Sequence, residues 1–194
     1  MWSNKGKVAI VGVGFSELSR SLEGTLGSRT LQACINAVND AGLKLSDIDG
    51  IASYPEAPAR NAGNTDGIDI VTVNHIIQHL DIADHVKWYA QTEQGMVLSA
   101  VIEAINAVAA GACNYALVWR ALHRPSGIYG AVNPGLATGD SQWTTPYGFG
   151  ASFQPHALAY QRYMDRYGAT REEMATLAVQ QRANANKNEK AYFY

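Results

Sequence analysis

Between Val86 and Leu122 the chain reads as a short strand, the turn Gln91-Thr92-Glu93-Gln94-Gly95, a helix apolar almost all round, and a second strand. From Met96 to Ala110 the only polar side chains are Ser99, Glu103 and Asn106. Their i, i+4, i+7 spacing lines them up in one narrow stripe, and a cylinder apolar on every other side is expected to be buried. The helix falls short of the roughly 20 apolar residues of a membrane span, and Glu103 interrupts it. Its expected place is the centre of a layered α/β domain, with Ile102 inside. Gly111 follows as a helix-closing residue. A strand, a tight turn and a buried helix N-terminus together form a place where backbone N–H groups and the helix dipole favour a thiolate or an oxyanion. The residue in that turn is Gln94, whose amide has no comparable nucleophilicity.

The rest of the chain alternates strands and helices. Lys7 to Val13 reads as a short apolar strand, Ser28 to Ala41 as a helix with Leu31, Cys34, Ile35 and Val38 on one face, and Ile48 to Tyr54 as a second strand. Pro55 to Gly67 has loop composition and leads into a helix from about Ile68 to Leu80. Val86 to Thr92 and Tyr115 to Leu122 supply two further strands. A long irregular region, 123–155, carries Pro125, Pro134, Pro146 and Pro155 together with Tyr129, Trp143, Tyr147, Phe149 and Phe153; loops of such length are usually functional or mobile. Two helices close the sequence, about His156 to Tyr167 and Thr170 to Lys187, the second opened by the capping box Thr170-x-x-Glu173. The order implies one domain over residues 1–194, a parallel or mixed sheet with covering helices.

Composition narrows the function classes. With 47% hydrophobic residues and a formal charge of −2 over 194 residues, the chain can build one good core and has no basic excess directed at nucleic acid. It is expected to be soluble and cytoplasmic, without a signal peptide or membrane span, and Cys34 and Cys113 are expected as reduced packing residues. Gly12-x-Gly14 follows the first strand, but the third glycine of a dinucleotide fingerprint is missing and the next helix starts too late to meet a pyrophosphate. His75 and His79 have the spacing of two metal ligands, yet no glutamate follows His75 and no third ligand stands nearby, so no metal is expected. Ser99 is expected to bond back to a helix carbonyl. Glu103, on a helix expected to be buried, needs a partner such as Arg120 or His123, or a shifted pKa.

Taken in order, several segments resemble the thiolase superfamily: Lys7-Val8-Ala9-Ile10-Val11-Gly12-Val13-Gly14, Leu45-Ser46-Asp47-Ile48-Asp49-Gly50-Ile51, the turn and apolar helix, and Ala110-Gly111 followed by Tyr115-Ala116-Leu117-Val118. Pro146-Tyr147-Gly148 and Tyr160-x-x-Tyr163-Met164-x-x-Tyr167-Gly168-Ala169-Thr170 resemble the sterol-carrier-protein-x, or lipid-transfer-protein-like, branch. Gln94 then stands where that family carries its nucleophilic cysteine, so acyl transfer through a covalent acyl-enzyme is disfavoured. The resemblance implies a thiolase-like αβα fold, of which this chain corresponds to an incomplete N-terminal half, short of that half's last strand. Apolar faces of the Leu98-Val101-Ile105 type would then need cover, and the chain alone would be inactive.

The function implied is action on acyl-CoA thioesters of a bulky, steroid-like acyl chain by retro-aldol cleavage within a larger assembly, with coenzyme A entering as part of the substrate and no further cofactor. The alternative is a non-catalytic lipid- or acyl-CoA-binding or scaffolding subunit. Gln94, Gly95, His123, Tyr147 and His156 are the candidate substrate-binding residues, and the catalytic base is left open. Implied partners are a second copy, paired through Val86 to Thr92, and a small OB-fold, zinc-ribbon protein.

Overall fold

The computed structural model describes residues 3–17, 24–54, 71–92, 96–121, 137, 139–150, 153–192 and 194. These form two compact units, 1–127 and 128–194.

In the first unit, Thr25 begins helix α1 (Leu26–Asp40) with a reciprocal cap: its hydroxyl accepts from the Ser28 N–H at 3.0 Å, and its own N–H donates to Ser28 Oγ at 3.2 Å. Strand β1 (Gly50–Ser53) is buried throughout. Helix α2 (Val73–His79) starts on Thr72, whose hydroxyl accepts from the His75 N–H. Strands β2 (Trp88–Gln91) and β3 (Ala116–Trp119) lie on either side of β1, all three parallel, in the order β2-β1-β3. Helix α3 (Met96–Ala109) joins β2 to β3, and Gly111, at φ +77°, turns the chain after it.

The period of two along β1 divides the core. Ile51 joins Leu117 and Trp119 on the face packed by α1 and α2, with Cys34, Val38, Val73 and Ile76. Ala52 faces the other way, against Ala100 and Ala104 of α3, with Trp88, Ala90 and Val118 around them. The layering is therefore helix, sheet, helix, as the sequence implied.

Three expectations are corrected. Residues 7–13 join no ladder among the described residues; a strand is defined by its neighbour, which a hydrophobic pattern does not supply. Helix α3 is not buried all round: its alanines face the sheet, while Leu98 and Ile102 are 68% and 57% exposed. Small residues let the helix axis approach the sheet closely, and the larger apolar side chains are left on the opposite side. Glu103 is likewise exposed, and a carboxylate in water needs no ion pair.

In the second unit, short 3-10 turns at Gly139–Trp143 and Thr145–Tyr147 precede helix α4 (Gln154–Tyr167). Helix α5 (Arg171–Ala185) opens on the expected box, with the Thr170 N–H donating to Glu173 Oε2 at 2.8 Å. Neither α4 nor α5 buries a residue. Tyr160, Tyr163 and Tyr167 line one face of α4 in ring contact.

Candidate functional site

Ligands of open α/β sheets sit outside the carboxyl ends of the strands. At that end of this sheet a chain of hydroxyls ties three strands and a helix together. The Thr92 N–H donates to the Ser53 carbonyl at 2.9 Å, and Ser53 Oγ donates to the Trp119 carbonyl at 3.2 Å. Trp119 Nε1 in turn donates to the Val71 carbonyl at 3.3 Å. From α3, Ser99 Oγ donates to Thr92 Oγ1 at 3.0 Å. Thr92 directly follows β2 and Ser99 lies in the first turn of α3, so this bond ties the end of the strand to the start of the helix. Made of neutral hydroxyls and carbonyls, the cluster can fix the start of the helix and offer hydrogen bonds, but it holds no group that takes a proton near neutral pH.

The opposite end is held by charge. The buried Asp49 carboxylate accepts from the Asn114 and Tyr115 N–H groups at 2.8 Å each, from Asn114 Nδ2 at 3.1 Å and from Lys87 Nζ at 3.2 Å. Burial pushes its pKa up, but the N–H groups of Tyr115 and Asn114 and the Lys87 ammonium outweigh burial and hold it below the ordinary carboxylate value. Asp49 thus sets the start of β1 against β2 and β3, a structural role.

Of the residues expected to bind substrate, Gln94, Gly95 and His123 lie outside the described residues. Tyr147 and His156 lie in the second unit: Tyr147 closes a 3-10 turn and is 81% exposed, and His156 is exposed in the first turn of α4. Sequence reading missed Thr92 and Ser53, and it gave Ser99 only a carbonyl contact. The seven-residue separation of Thr92 and Ser99 across a turn was the signal that could have paired them.

The remaining candidates have structural surroundings. The His75 and His79 rings stack 4.1 Å apart, and His79 Nδ1 lies 2.8 Å from the His75 carbonyl. No three His, Cys, Asp or Glu side chains gather as a metal site requires among the described residues. Cys34 and Cys113 are both buried and free; burial pushes the Cys34 thiol up to about 12. The Cys113 thiol is raised first by burial and then by the Asp49 charge, against a smaller opposing effect of Lys87. No described helix is long and apolar enough to cross a membrane.

Against known proteins, no family model matches the chain. It is 29% identical over 198 residues to a steroid side-chain-cleaving aldolase of Thermomonospora curvata, covering 97% of this chain and 47% of that protein. It is 29% identical over 202 residues to the 17-hydroxy-3-oxo-4-pregnene-20-carboxyl-CoA lyase of Mycobacterium tuberculosis, covering 97% and 48%. An acetyl-CoA acetyltransferase of Methanocaldococcus jannaschii is also 29% identical over 195 residues, covering 96% and 46%. Among solved structures, the Ltp2-ChsH2(DUF35) aldolase superposes with a TM-score of 0.76 at 29% identity, over 96% of this chain and 45% of that one. The chain spans about half the length of these relatives. The thiolase-like resemblance, in its sterol-carrier-protein-x branch, and the layered α/β fold are borne out.

Proposed function

We propose that this chain forms the acyl-CoA-handling half of a thiolase-like aldolase that cleaves a carbon–carbon bond in the side chain of a steroid-like acyl-CoA. The observation that carries the reading is the match, over 97% of the chain, to two proteins named for a side-chain-cleaving aldolase and a pregnene-carboxyl-CoA lyase. In such a cleavage the β-hydroxyl loses its proton to a base and its C–O bond becomes a carbonyl as the Cα–Cβ bond breaks. The electron pair passes to the thioester as an enolate, which takes a proton at Cα to leave a shortened acyl-CoA. No acyl-enzyme forms, so a glutamine at position 94 is compatible with the chemistry where a thiolase's would not be.

On this reading Gln94 and Gly95 meet the thioester end of the substrate, with the Ser99–Thr92 bond joining the residues on either side of them in the chain. His123, Tyr147 and His156 are the remaining candidates for contact with the acyl chain. Coenzyme A enters as part of the substrate, and no other cofactor is invoked. The assembly is a homodimer joined through β2, joined in turn by an OB-fold, zinc-ribbon partner, and it works in the cytoplasm. In support of the pairing, β2 is an edge strand of the sheet among the described residues, and Tyr89 on it is 66% exposed; such edges invite pairing.

The test is an assay of the chain, alone and combined with polypeptide equivalent to the unmatched half of its relatives, on a steroid β-hydroxyacyl-CoA. A shortened acyl-CoA, identified by mass spectrometry in the combined sample only, is the expected result. Tight acyl-CoA binding with no cleavage in any combination would leave the non-catalytic scaffold in its place. Sedimentation of the chain as a monomer at micromolar concentration would remove the β2 dimer.

A further inference from the structure

The hydroxyls at the carboxyl end of the sheet belong to a longer chain of contacts in which every donor points the same way. Ser99 Oγ donates to Thr92 Oγ1 at 3.0 Å. Thr92 donates to the Ser53 carbonyl, from its N–H at 2.9 Å and from Oγ1 at a longer 3.5 Å. Ser53 Oγ donates to the Trp119 carbonyl at 3.2 Å, and Trp119 Nε1 to the Val71 carbonyl at 3.3 Å. The chain of contacts starts in α3, crosses the ends of β2, β1 and β3 in their order in the sheet, and finishes at Val71, which precedes the Thr72 cap of α2. Helices α3 and α2 pack on opposite faces of the sheet, so the contacts join one layer to the other through the strand ends.

Packing does not require these groups. Ser53, Trp119 and Val71 are all buried, and a buried polar group must find a partner where an apolar one needs none. Ala52, beside Ser53, is equally buried without a hydroxyl, and a phenylalanine ring at position 119 would bring no donor to satisfy. The Trp119 ring belongs to the same core cluster as Ile51, Val73 and Ile76, so its surroundings fix where the indole N–H points. A fully satisfied polar network of this kind holds one geometry in preference to others. Here the geometry held is that of the strand ends, where ligands of open α/β sheets sit.

We infer that Trp119 is a positioning residue for the acyl-CoA site, acting through Ser53 and Thr92. Its indole N–H anchors the far end of the contacts and so holds Thr92 and Ser99, the residues on either side of Gln94 and Gly95 in the chain. The role rests on acyl-CoA being the ligand at this end of the sheet, and Trp119 itself touches no reacting atom. Without the indole N–H, the Val71 carbonyl loses its buried donor and the end of β3 is no longer tied to the start of α2. The Ser53 hydroxyl follows the Trp119 carbonyl, Thr92 follows the Ser53 carbonyl, and the ligand registers the displacement as lost affinity.

The test replaces Trp119 with its benzothienyl analogue, in which sulfur takes the place of the indole N–H and the ring keeps its shape. Trp119→Phe, with folding checked by circular dichroism, is the second variant. Affinity for a steroid β-hydroxyacyl-CoA is measured by isothermal titration in the combined sample used for the cleavage assay. Each Trp119 variant should bind about five- to tenfold more weakly than wild type, and the Trp119–Ser99→Ala double variant no more weakly than Ser99→Ala alone, because the contacts are already broken. Wild-type affinity in both Trp119 variants, or losses that multiply in the double variant, would overturn the role and leave Trp119 as packing. A readout without ligand separates this role from the functional reading. In a nitrogen–proton NMR spectrum of the full chain, the Trp119 indole resonance should move in Ser99→Ala. An unmoved resonance would overturn the coupling whatever acyl-CoA does. A moved resonance in a chain whose combined sample binds no acyl-CoA would overturn the functional reading, and the role with it, while the coupling stands.

Discussion

The two ends of the parallel sheet are closed by different chemistry. At the amino end one buried carboxylate, Asp49, gathers four donors from the starts of β2 and β3. At the carboxyl end, Ser53, Thr92 and Ser99 are linked by neutral hydroxyl bonds that run between strands and into α3. A buried charge with full partners is costly to disturb, because removing it strands every donor at once. Neutral hydroxyl bonds are individually weak, and a segment held by them can adjust at small cost. The difference assigns rigidity to the end that only sets register and adjustability to the end that leads into α3.

Removing the charge should have the largest effect. Asp49→Ala leaves the N–H groups of Asn114 and Tyr115 buried without an acceptor and should lower unfolding free energy by about 3 kcal/mol, read from urea denaturation. A loss below about 1 kcal/mol would mean that the carboxylate is not what registers the strands. The pH dependence has a fixed sign. Because the folded pKa of Asp49 is lowered, its contribution is complete above the unfolded value of about 4 and is lost as pH falls through that value toward the folded pKa. Wild-type stability should therefore drop in this acid window more steeply than that of Asp49→Asn.

Cys113 gives the same end a chemical reporter. Its thiol is held up by burial and by the Asp49 charge, and Cys34 by burial alone, to about 12, so neither should be alkylated by iodoacetamide in the folded chain at pH 8. In Asp49→Ala, Cys113 should become reactive while Cys34 stays protected on the buried face of α1. Equal reactivity of both would show global unfolding in place of a local opening.

At the carboxyl end the expected order is reversed, with function more sensitive than stability. Ser99→Ala breaks the hydroxyl bond to Thr92 and should cost about 1 kcal/mol or less, yet acyl-CoA affinity should fall about tenfold if that bond must hold the start of α3 for the thioester to be received. Isothermal titration with an acyl-CoA decides between this and a packing role, in which affinity would be unchanged.

Local signals were legible in the sequence where they were self-contained. Thr170 with Glu173 and Gly111 after α3 each need only neighbours in the chain, and each was found where expected. Features that depend on distant partners were not. Asp49 falls inside the strand read over Ile48 to Tyr54, and nothing local shows that Lys87 and Asn114 will meet that carboxylate. Residues 7–13 have a strand's pattern without a strand's neighbour. The substrate-binding candidates Gln94, Gly95 and His123 fall outside the described residues, so the cluster beside them, Thr92 with Ser99, is the part of the candidate site that the fold makes visible.

The smallest effect belongs to Ile102, and it separates the sheet's surroundings from the sheet itself. An apolar helix suggests that a charge anywhere on it would unfold the domain, but α3 meets the sheet through Ala100 and Ala104, and Ile102 is 57% exposed on another face. A carboxylate there keeps its water, so Ile102→Asp should change stability by no more than about 0.5 kcal/mol, with circular dichroism unchanged. Ala104→Asp, two residues further along, puts the charge against Ala52 and should unfold the chain. Leu98, 68% exposed, flanks the same outer face, an apolar patch of the kind that marks an interaction surface. If Ile102→Asp leaves the isolated chain folded but abolishes its association with polypeptide equivalent to the other half of its relatives, that face is an assembly surface. If it unfolds the isolated chain, α3 packs differently from the arrangement described, and the contrast between the two ends of the sheet would have to be redrawn around it.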